Sequence, residues 1–304
     1  MTTVRAGTLD DAAAVLDLRR ASFPWQVSTV PGLRHTWART VDNAKGALFA
    51  VDDASGLAGF VRCGLNTWTS EQGAASLAVL VRADRRGRGI GTALLEAAED
   101  HLGGVGARRA QAYVLDEPAS LRWARGRGYE TKAEERYSGV HLADLPPAPA
   151  MATGVTVLTF DEVGPEKTFL VDSESSLDQP GEMTLDKIGY ADWLHDIWTR
   201  PSVRRDLSVV ALVDGEPAAY TAVEADVDTG RIWSGGTGTR RAFRGRGLAK
   251  IVKSVALRRA REAGLTAAYT ANDELNAPML AVNVWLGYRP VGAEWECVKR
   301  LSQG

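Results

Sequence analysis

An α/β architecture of two like domains in tandem, each built on a mixed sheet, follows from three features of these 304 residues. A glycine-rich basic turn occurs twice, as "RRGRGIG" at residues 85–91 and "FRGRGLA" at 243–249. Each copy follows three short apolar runs and precedes a segment whose apolar residues recur at helical spacing. Between the copies lies "ADLPPAPAMATG", residues 143–154, a Pro/Ala-rich stretch that cannot hold a helix. The expected layout is a first domain over 1–142, a linker over 143–154 and a second domain over 155–304, an internal duplication at domain scale.

Composition narrows the possible roles. A chain with 45% hydrophobic residues can bury a sizeable core in each domain. The net charge of -2 provides no global positive field for nucleic acid, so any basic feature is local. The N-terminus "MTTVRAGTLDDAAAVLDLRR" is charged from the start, and no apolar stretch reaches the length of a membrane span. The expectation is a soluble cytoplasmic protein with neither nucleic-acid nor membrane partners. Cys63 and Cys297 stand alone, without a CxxC or Cys/His cluster, and read as small core hydrophobes; no metal site is expected. The four histidines show no metal or triad spacing.

In the first half, "TVRAG" reads as a strand and "DDAAAVLDLRRASF" as a helix with Asp10 or Asp11 as its cap. The runs "KGALFAVDD", "LAGFVRCGL" and "ASLAVLV" are strands separated by Asp/Gly turns. After the glycine turn, Ile90, Leu94, Leu95, Ala98 and Leu102 mark a helix, followed by a strand at "RAQAYV" and a helix near "PASLRWARGRGY". The second half repeats this order with "GVTVLTF", a helical stretch around "YADWLHDIW", and strands at "LSVVALV", "PAAYTAVEA" and "RIWSGGTGT". Leu248, Ile251, Val252 and Val255 then set an i, i+3, i+4, i+7 stripe, before a strand at "AAYTA", a helix at "APMLAVNVWLGY" and a strand near "EWECVKR".

The repeated turn carries its own chemistry. Backbone N–H groups of a glycine-rich turn ahead of a helix point outward as donors, and the helix dipole adds partial positive charge, an environment suited to a diphosphate. Gly87, Gly89 and Gly91, and likewise Gly245 and Gly247, let a ligand approach the backbone with no Cβ in the way. Arg85, Arg86 and Arg88, and Arg240, Arg241, Arg244 and Arg246, are candidates to pair with further phosphate oxygens. Competing phosphate motifs fail on detail. A dinucleotide fingerprint needs an acid roughly 20 residues beyond the turn, where Gln111 and Ala112 stand. A Walker loop needs Gly-Lys-Ser/Thr, whereas "GRGLAKI" places Ala249 before Lys250 and Ile251 after it.

An Arg-x-x-Gly-x-Gly/Ala turn after the fourth strand of β-α-α-β-β-β and before a helix resembles the acyl-CoA loop of the GCN5-related N-acetyltransferases, the GNAT family. Arg86-Gly87-Arg88-Gly89-Ile90-Gly91, with Thr92 next, and Arg244-Gly245-Arg246-Gly247-Leu248-Ala249 both satisfy it. The family's Asn-led helix closing on Leu-Gly-Phe/Tyr is matched by "NAPMLAVNVWLGY" and more loosely by "EPASLRWARGRGY". The resemblance covers almost the whole chain as two tandem GNAT domains, an architecture of the mycothiol-synthase type.

The resemblance implies a mixed sheet whose fourth and fifth strands splay apart to admit the pantetheine arm of acetyl-CoA, the co-substrate. It places strand backbone at Leu80-Val81 and Gly238-Thr239 against that arm, polarising the thioester carbonyl. It also puts Asn276 among the candidate ligand-binding residues, with Asn272 and Asn276 equally readable as helix caps. A neutral amine of a small molecule would attack the thioester directly through a tetrahedral intermediate, which calls for a base. Glu224 is the candidate base, with Glu71 its analogue in the first half. Many relatives supply a tyrosine as acid for the departing thiolate five residues before the final aromatic, where this chain has Asn283 and Ala124. Asn283 is then a candidate to orient a water or the ligand, and Tyr269 and Tyr288 are other candidate acids.

Acceptor clues come from "DSESSLDQPGEMTLDKIGYADW", where Asp178 and Glu182 flank a Pro-Gly turn suited to attracting a cationic amine. The C-terminal half, with the fuller Asn-to-Leu-Gly-Tyr ending and this acidic loop, is expected to catalyse. The leading reading is an acetyl-CoA-dependent N-acetyltransferase acting on a small-molecule amine, as monomer or homodimer. The alternative is an acyl-CoA-binding sensor or scaffold without turnover, which the absent tyrosines keep open.

Overall fold

The computed structural model describes residues 2–178 and 185–301. In chain order the first half contains β1 (Arg5–Ala6), α1 (Ala12–Ser22), α2 (Val30–Asp42), β2 (Ala47–Asp53), β3 (Gly56–Leu65), β4 (Ala74–Val81), α3 (Ile90–Gly104), β5 (Arg109–Leu115), α4 (Pro118–Arg125) and β6 (Glu130–His141). The second half contains β7 (Val155–Thr159), α5 (Phe160–Val163), α6 (Pro165–Ser176), α7 (Tyr190–Trp193), β8 (Val209–Val213), β9 (Glu216–Thr221), β10 (Glu224–Asp226), β11 (Arg231–Trp233), β12 (Thr237–Thr239), α8 (Leu248–Glu262), β13 (Ala267–Asp273), α9 (Ala277–Trp285) and β14 (Arg289–Arg300). The repeated element order read from the sequence is present in both halves.

Two compact units share the chain, and they do not follow its linear halves. The first comprises residues 1–26, 30–134 and 293–304; the second comprises 27–29 and 135–292. In the first unit the sheet runs β1-β2-β3-β4-β5-β14. All neighbours are antiparallel except β4 and β5. Strand alternation divides its core between two faces. On one, Leu94, Leu95, Ala98 and Leu102 of α3 pack with Val61, Cys63, Leu77 and Ala110. On the other, Val15 and Leu16 of α1 and Leu33 and Trp37 of α2 pack with Leu48, Ala50 and Phe60. The predicted α1 cap is refined. Thr8 and Asp11 form a capping box around the turn before the helix, and the Thr8 N–H donates to Asp11 at 2.8 Å.

The second unit repeats the layering. Residues 135–141 of β6 pair antiparallel with β13, which runs parallel to β11, which in turn pairs with β10. A second sheet runs β12-β9-β8-β7. Helix α8 covers the face carrying Val209, Ala211, Ile232 and Ala268, while Val171 of α6 packs with Phe160, Val210 and Tyr220 on the other. Cys63 and Cys297 are free and buried, and burial pushes both thiols up to about 11, consistent with their reading as core hydrophobes.

Two predicted strands of the second half are interrupted. "PAAYTAVEA" breaks at Ala222–Val223, where Val223 and Ala225 hydrogen-bond instead with the chain at Arg204 and Ser202. "RIWSGGTGT" breaks at Ser234–Gly236. Thr221 faces Thr237 and Glu224 faces Trp233, so two residues on one side oppose three on the other, which is a bulge. A Cβ at Gly235 would lie 2.1 Å from the Trp233 indole nitrogen, so only glycine fits this kink. In the first unit β4 pairs with β3 without interruption from Ala75 to Val81.

Candidate active site

The two glycine turns have one backbone geometry. Each follows a single 3-10 turn, at Ala83–Arg85 and Arg241–Phe243, and each ends in a left-handed glycine as the helix N-cap. The φ values are +75° at Gly87 and +83° at Gly89, against +77° at Gly245 and +72° at Gly247. An added Cβ at any of the four would meet nothing within 4 Å, so the space before the turn is open while the backbone still requires glycine. The turns deliver unpaired N–H groups at the N-termini of α3 and α8, the arrangement that holds phosphate.

The arginines divide between two tasks. Arg86 donates to the Val81 carbonyl at 3.4 Å, and Arg244 donates to the Thr239 carbonyl at 3.0 Å, so each buckles its turn onto the end of the preceding strand. Arg85 pairs with Asp53 and Asp84, and Arg240 with Glu174 at 2.7 Å. Arg88 and Arg246 are exposed at the turn tips, with Arg246 over the Phe243 ring. Most arginines expected on phosphate oxygens therefore shape the loop.

Below the first turn, the sheet opens. β4 and β5 pair only from Ala74–Ser76 to Arg109–Gln111, although β4 continues to Val81 and β5 to Leu115. Past that point the strands part around a cleft of about 450 Å³. Leu80 and Val81 line one wall, Gly87, Gly89, Gly91 and Thr92 the mouth, and Leu77, Leu95, Ala124 and Tyr129 contribute apolar surface. Trp123 also lines it, with the Arg127 guanidinium 4.4 Å from its ring centre and bonded to the Thr92 hydroxyl. In the second unit β11 and β13 likewise pair for three residues, ending at Trp233 and Tyr269, before the bulge turns β12 toward β9.

This pattern, a phosphate-ready turn above parting parallel strands and occurring twice, has counterparts among known proteins. The family model described as "Acetyltransferase (GNAT) family" matches residues 12–129 and again 172–288. The chain belongs to the acetyltransferase (GNAT) family. It is 25% identical over 228 residues to the mycothiol acetyltransferase of Nocardioides sp. (strain ATCC BAA-499 / JS614), covering 70% of this chain and 76% of that one. Among solved structures, a tandem GNAT protein from the clavulanic acid biosynthesis pathway has a TM-score of 0.79 at 21% identity, over 100% of both chains. A GCN5-related N-acetyltransferase from Sphaerobacter thermophilus has a TM-score of 0.75 at 20% identity, over 99% of this chain and 96% of the other. The expected tandem GNAT architecture and acetyltransferase class are thus established.

Within this tandem GNAT protein the second unit gathers the polar groups. Asn283 is buried, and its amide nitrogen donates to Asn272 at 2.6 Å, while its oxygen has no hydrogen-bond partner among the described residues. Tyr288 is buried with its hydroxyl also unpartnered, and burial pushes that phenol well up. Beside it lies Ser234, at the strand break, whose side chain is near enough to the phenol to offset a little of that shift but whose Oγ makes no well-formed hydrogen bond among the described residues. Lys253 completes the group. It is 1% exposed, its Nζ donates to the Ser234 carbonyl at 3.4 Å and lies 5.3 Å from the Tyr288 ring centre, and burial lowers its amine to about 7.

Sequence reasoning missed Lys253 because the stripe Leu248, Ile251, Val252 and Val255 places it toward solvent. A signal was nevertheless available: Ala256, Leu257 and Ala260, at i+3, i+4 and i+7 from Lys253, are all apolar.

The other candidates lie elsewhere. Glu224 sits on the sheet face away from α8, since its strand neighbour Ala225 and the facing Ile232 belong to the α8-covered core. Its carboxylate accepts from Ser202 at 2.6 Å and Arg200 at 3.1 Å. Asn276 caps α9, accepting from the Met279 N–H at 3.3 Å. Gly238 is pressed by α6, for a Cβ there would lie 2.0 Å from the Ser175 hydroxyl.

Asp178 corrects the acceptor expectation. It pairs with both Arg241 and Arg244, whose hydrogen bonds hold its carboxyl well below the usual range. Two guanidiniums neutralise it, so it braces the second glycine turn and offers no net charge to an amine. Glu182 lies outside the described residues. In the first unit, Glu71 pairs with Arg109 at 2.9 Å, and the Tyr129 hydroxyl is turned to Glu99 at 3.0 Å.

Proposed function

We propose that this acetyltransferase moves an acetyl group from acetyl-CoA to a primary amine of a small molecule, by direct attack of the amine on the thioester. The observation that carries this reading is the first unit's cleft, which opens between β4 and β5 directly below the left-handed glycines at the N-terminus of α3. The turn N–H groups and the α3 dipole would hold the diphosphate, and Arg88 at the tip would add charge. The wall at Leu80 and Val81 would guide the pantetheine arm. The cleft of about 450 Å³ lies in the range of small-molecule sites, and its apolar lining suits a short acyl chain.

The two units support different tasks. The first unit's cleft has Leu77, Leu95 and Ala124 as apolar lining, and Tyr129 is committed to Glu99, so none of these four offers a free acid or base. Binding without turnover is the reading that this lining favours for unit 1. The second unit pairs a carboxylate on one sheet face, Glu224, with Lys253, Asn283 and Tyr288 on the other. That distribution suits acyl transfer. Glu224 would accept the proton released from the attacking nitrogen, and the polar cluster would face the leaving group. The mycothiol acetyltransferase relative is consistent with a small-molecule acceptor.

The experiment combines calorimetric titration with acetyl-CoA and thiol release measured across a panel of primary amines. Acetyl-CoA binding with amine-dependent CoA release supports the reading. Binding with no release on any amine would leave a sensor in its place, and no binding would refute both.

A further inference from the structure

The two units can be superposed in sequence from their loop arginines. Lys253 is nine residues beyond Arg244, as Leu95 is nine beyond Arg86. Asn283 and Tyr288 stand five apart on α9 and its exit, as Ala124 and Tyr129 do on α4 and its exit. Leu95, Ala124 and Tyr129 all line the first unit's cleft, as does Leu77, whose place on the parting strand is taken by Ser234. Leu77, Leu95 and Ala124 in one unit are therefore matched in the other by a hydroxyl, an amine and an amide, while the tyrosine bonded to Glu99 is matched by one without such a carboxylate among the described residues. Three of these carry a buried atom with no well-formed hydrogen bond among the described residues, Ser234 Oγ, Asn283 Oδ1 and Tyr288 OH.

Such a cluster is costly without an occupant. A buried polar atom without a partner is destabilising, and among the described residues Lys253 has no carboxylate to offset the desolvation that lowers its amine. The Ser234 carbonyl, already bonded by the Thr270 hydroxyl at 2.8 Å, is its only hydrogen-bond acceptor among the described residues. An anion would satisfy Lys253, Tyr288 and Ser234, which offer an ammonium and two hydroxyls as donors, whereas the Asn283 oxygen calls for a donor.

We infer that Lys253, with Tyr288 and Ser234, forms a receptor for the sulfur of CoA in the second unit and that Lys253 protonates the departing thiolate, in the role left open at Asn283. This rests on the acyl-transfer reading above. As the C–N bond forms and the C–S bond breaks, the electron pair of the C–S bond passes to sulfur. The Lys253 ammonium gives one proton to that sulfur, leaving CoA thiol and a neutral amine. The acetylated nitrogen loses one proton to Glu224 or water, and solvent returns one to Lys253. A thiol holds its proton to about 8.5 and the buried amine titrates not far from it, so one proton can pass between the two.

The test needs no acceptor amine. Gly89→Val confines CoA to the second unit, and the ultraviolet absorbance of the thiolate, read against desulfo-CoA, gives the pKa of the bound thiol. With Lys253 present the thiol should titrate about one unit or more below free CoA, and the added substitution Lys253→Met should return it to the free value. In the unmutated protein, NMR of labelled lysine should show the Lys253 amine rising by about one unit when CoA is added and staying put with desulfo-CoA, which checks the pairing without relying on a variant that must fold.

A bound thiol that titrates as in solution, or equally with and without Lys253, would overturn the inference. So would failure of the Gly89→Val protein to bind CoA, which leaves only the first unit's cleft standing as a CoA site. Failure of every form to bind CoA would instead remove the acyl-transfer reading itself.

Discussion

Lys253 Nζ lies 5.3 Å from the centre of the Tyr288 ring, and neither residue has a charged partner among the described residues. A cation–π contact offsets only part of a lysine's desolvation, which is why the amine falls to about 7. This single pair distinguishes the two units, for Leu95 and Tyr129 occupy the same places in the first.

One prediction concerns stability. The folded pKa of Lys253 is below its unfolded value of 10.5, so its contribution is fully present above pH 10.5 and is lost as pH falls to about 7. The gap corresponds to roughly 5 kcal/mol. Lys253→Met should remove that slope and make the variant more stable than the parent at pH 7. Urea unfolding of both proteins across this pH range checks it, with parallel curves contradicting the burial of a neutral amine.

The glycine turns allow a sharper test of binding. Gly89→Val and Gly247→Val each force a branched residue to a φ above +70° and put its side chain into the open phosphate space. Affinity for acetyl-CoA should fall at least tenfold at the altered unit and stay within error at the other, as read by calorimetry.

Much of this was legible in the chain. The turns announced themselves because left-handed φ values demand glycine and because the same strand order precedes both. Two outcomes had no local signal. β6 and β14 are both 12-residue strands, and nothing in either specifies which sheet it completes, so the compact units could not be cut from the sequence. The acidic residue Asp178 reads as a lure for amines until its partners Arg241 and Arg244, 63 and 66 residues away, are in place.

A third prediction addresses the α6 side of the second unit. Asp172 is buried, accepting from Tyr220 at 2.6 Å, Trp193 at 2.7 Å and Ser176 at 2.9 Å, while burial pushes its carboxyl up. Asp172→Ala should cost about 3–5 kcal/mol, because three buried donors lose their acceptor together. A drop in the urea midpoint with an unchanged slope would confirm this, and a neutral outcome would show that water replaces the carboxylate.

Glu224→Gln keeps the size of the side chain and its bond from Ser202 while removing the charge. Turnover with an amine acceptor should fall on the order of a hundredfold, and acetyl-CoA affinity should hold. Equal turnover in the two proteins would remove Glu224 as the base.

Calorimetric titration of acetyl-CoA into the unmutated protein and into Gly89→Val bears most directly on the cleft between β4 and β5. The structure predicts saturable binding in the parent, with the first unit's site lost in the variant. Identical titrations of the two proteins would contradict the assignment of that cleft to CoA.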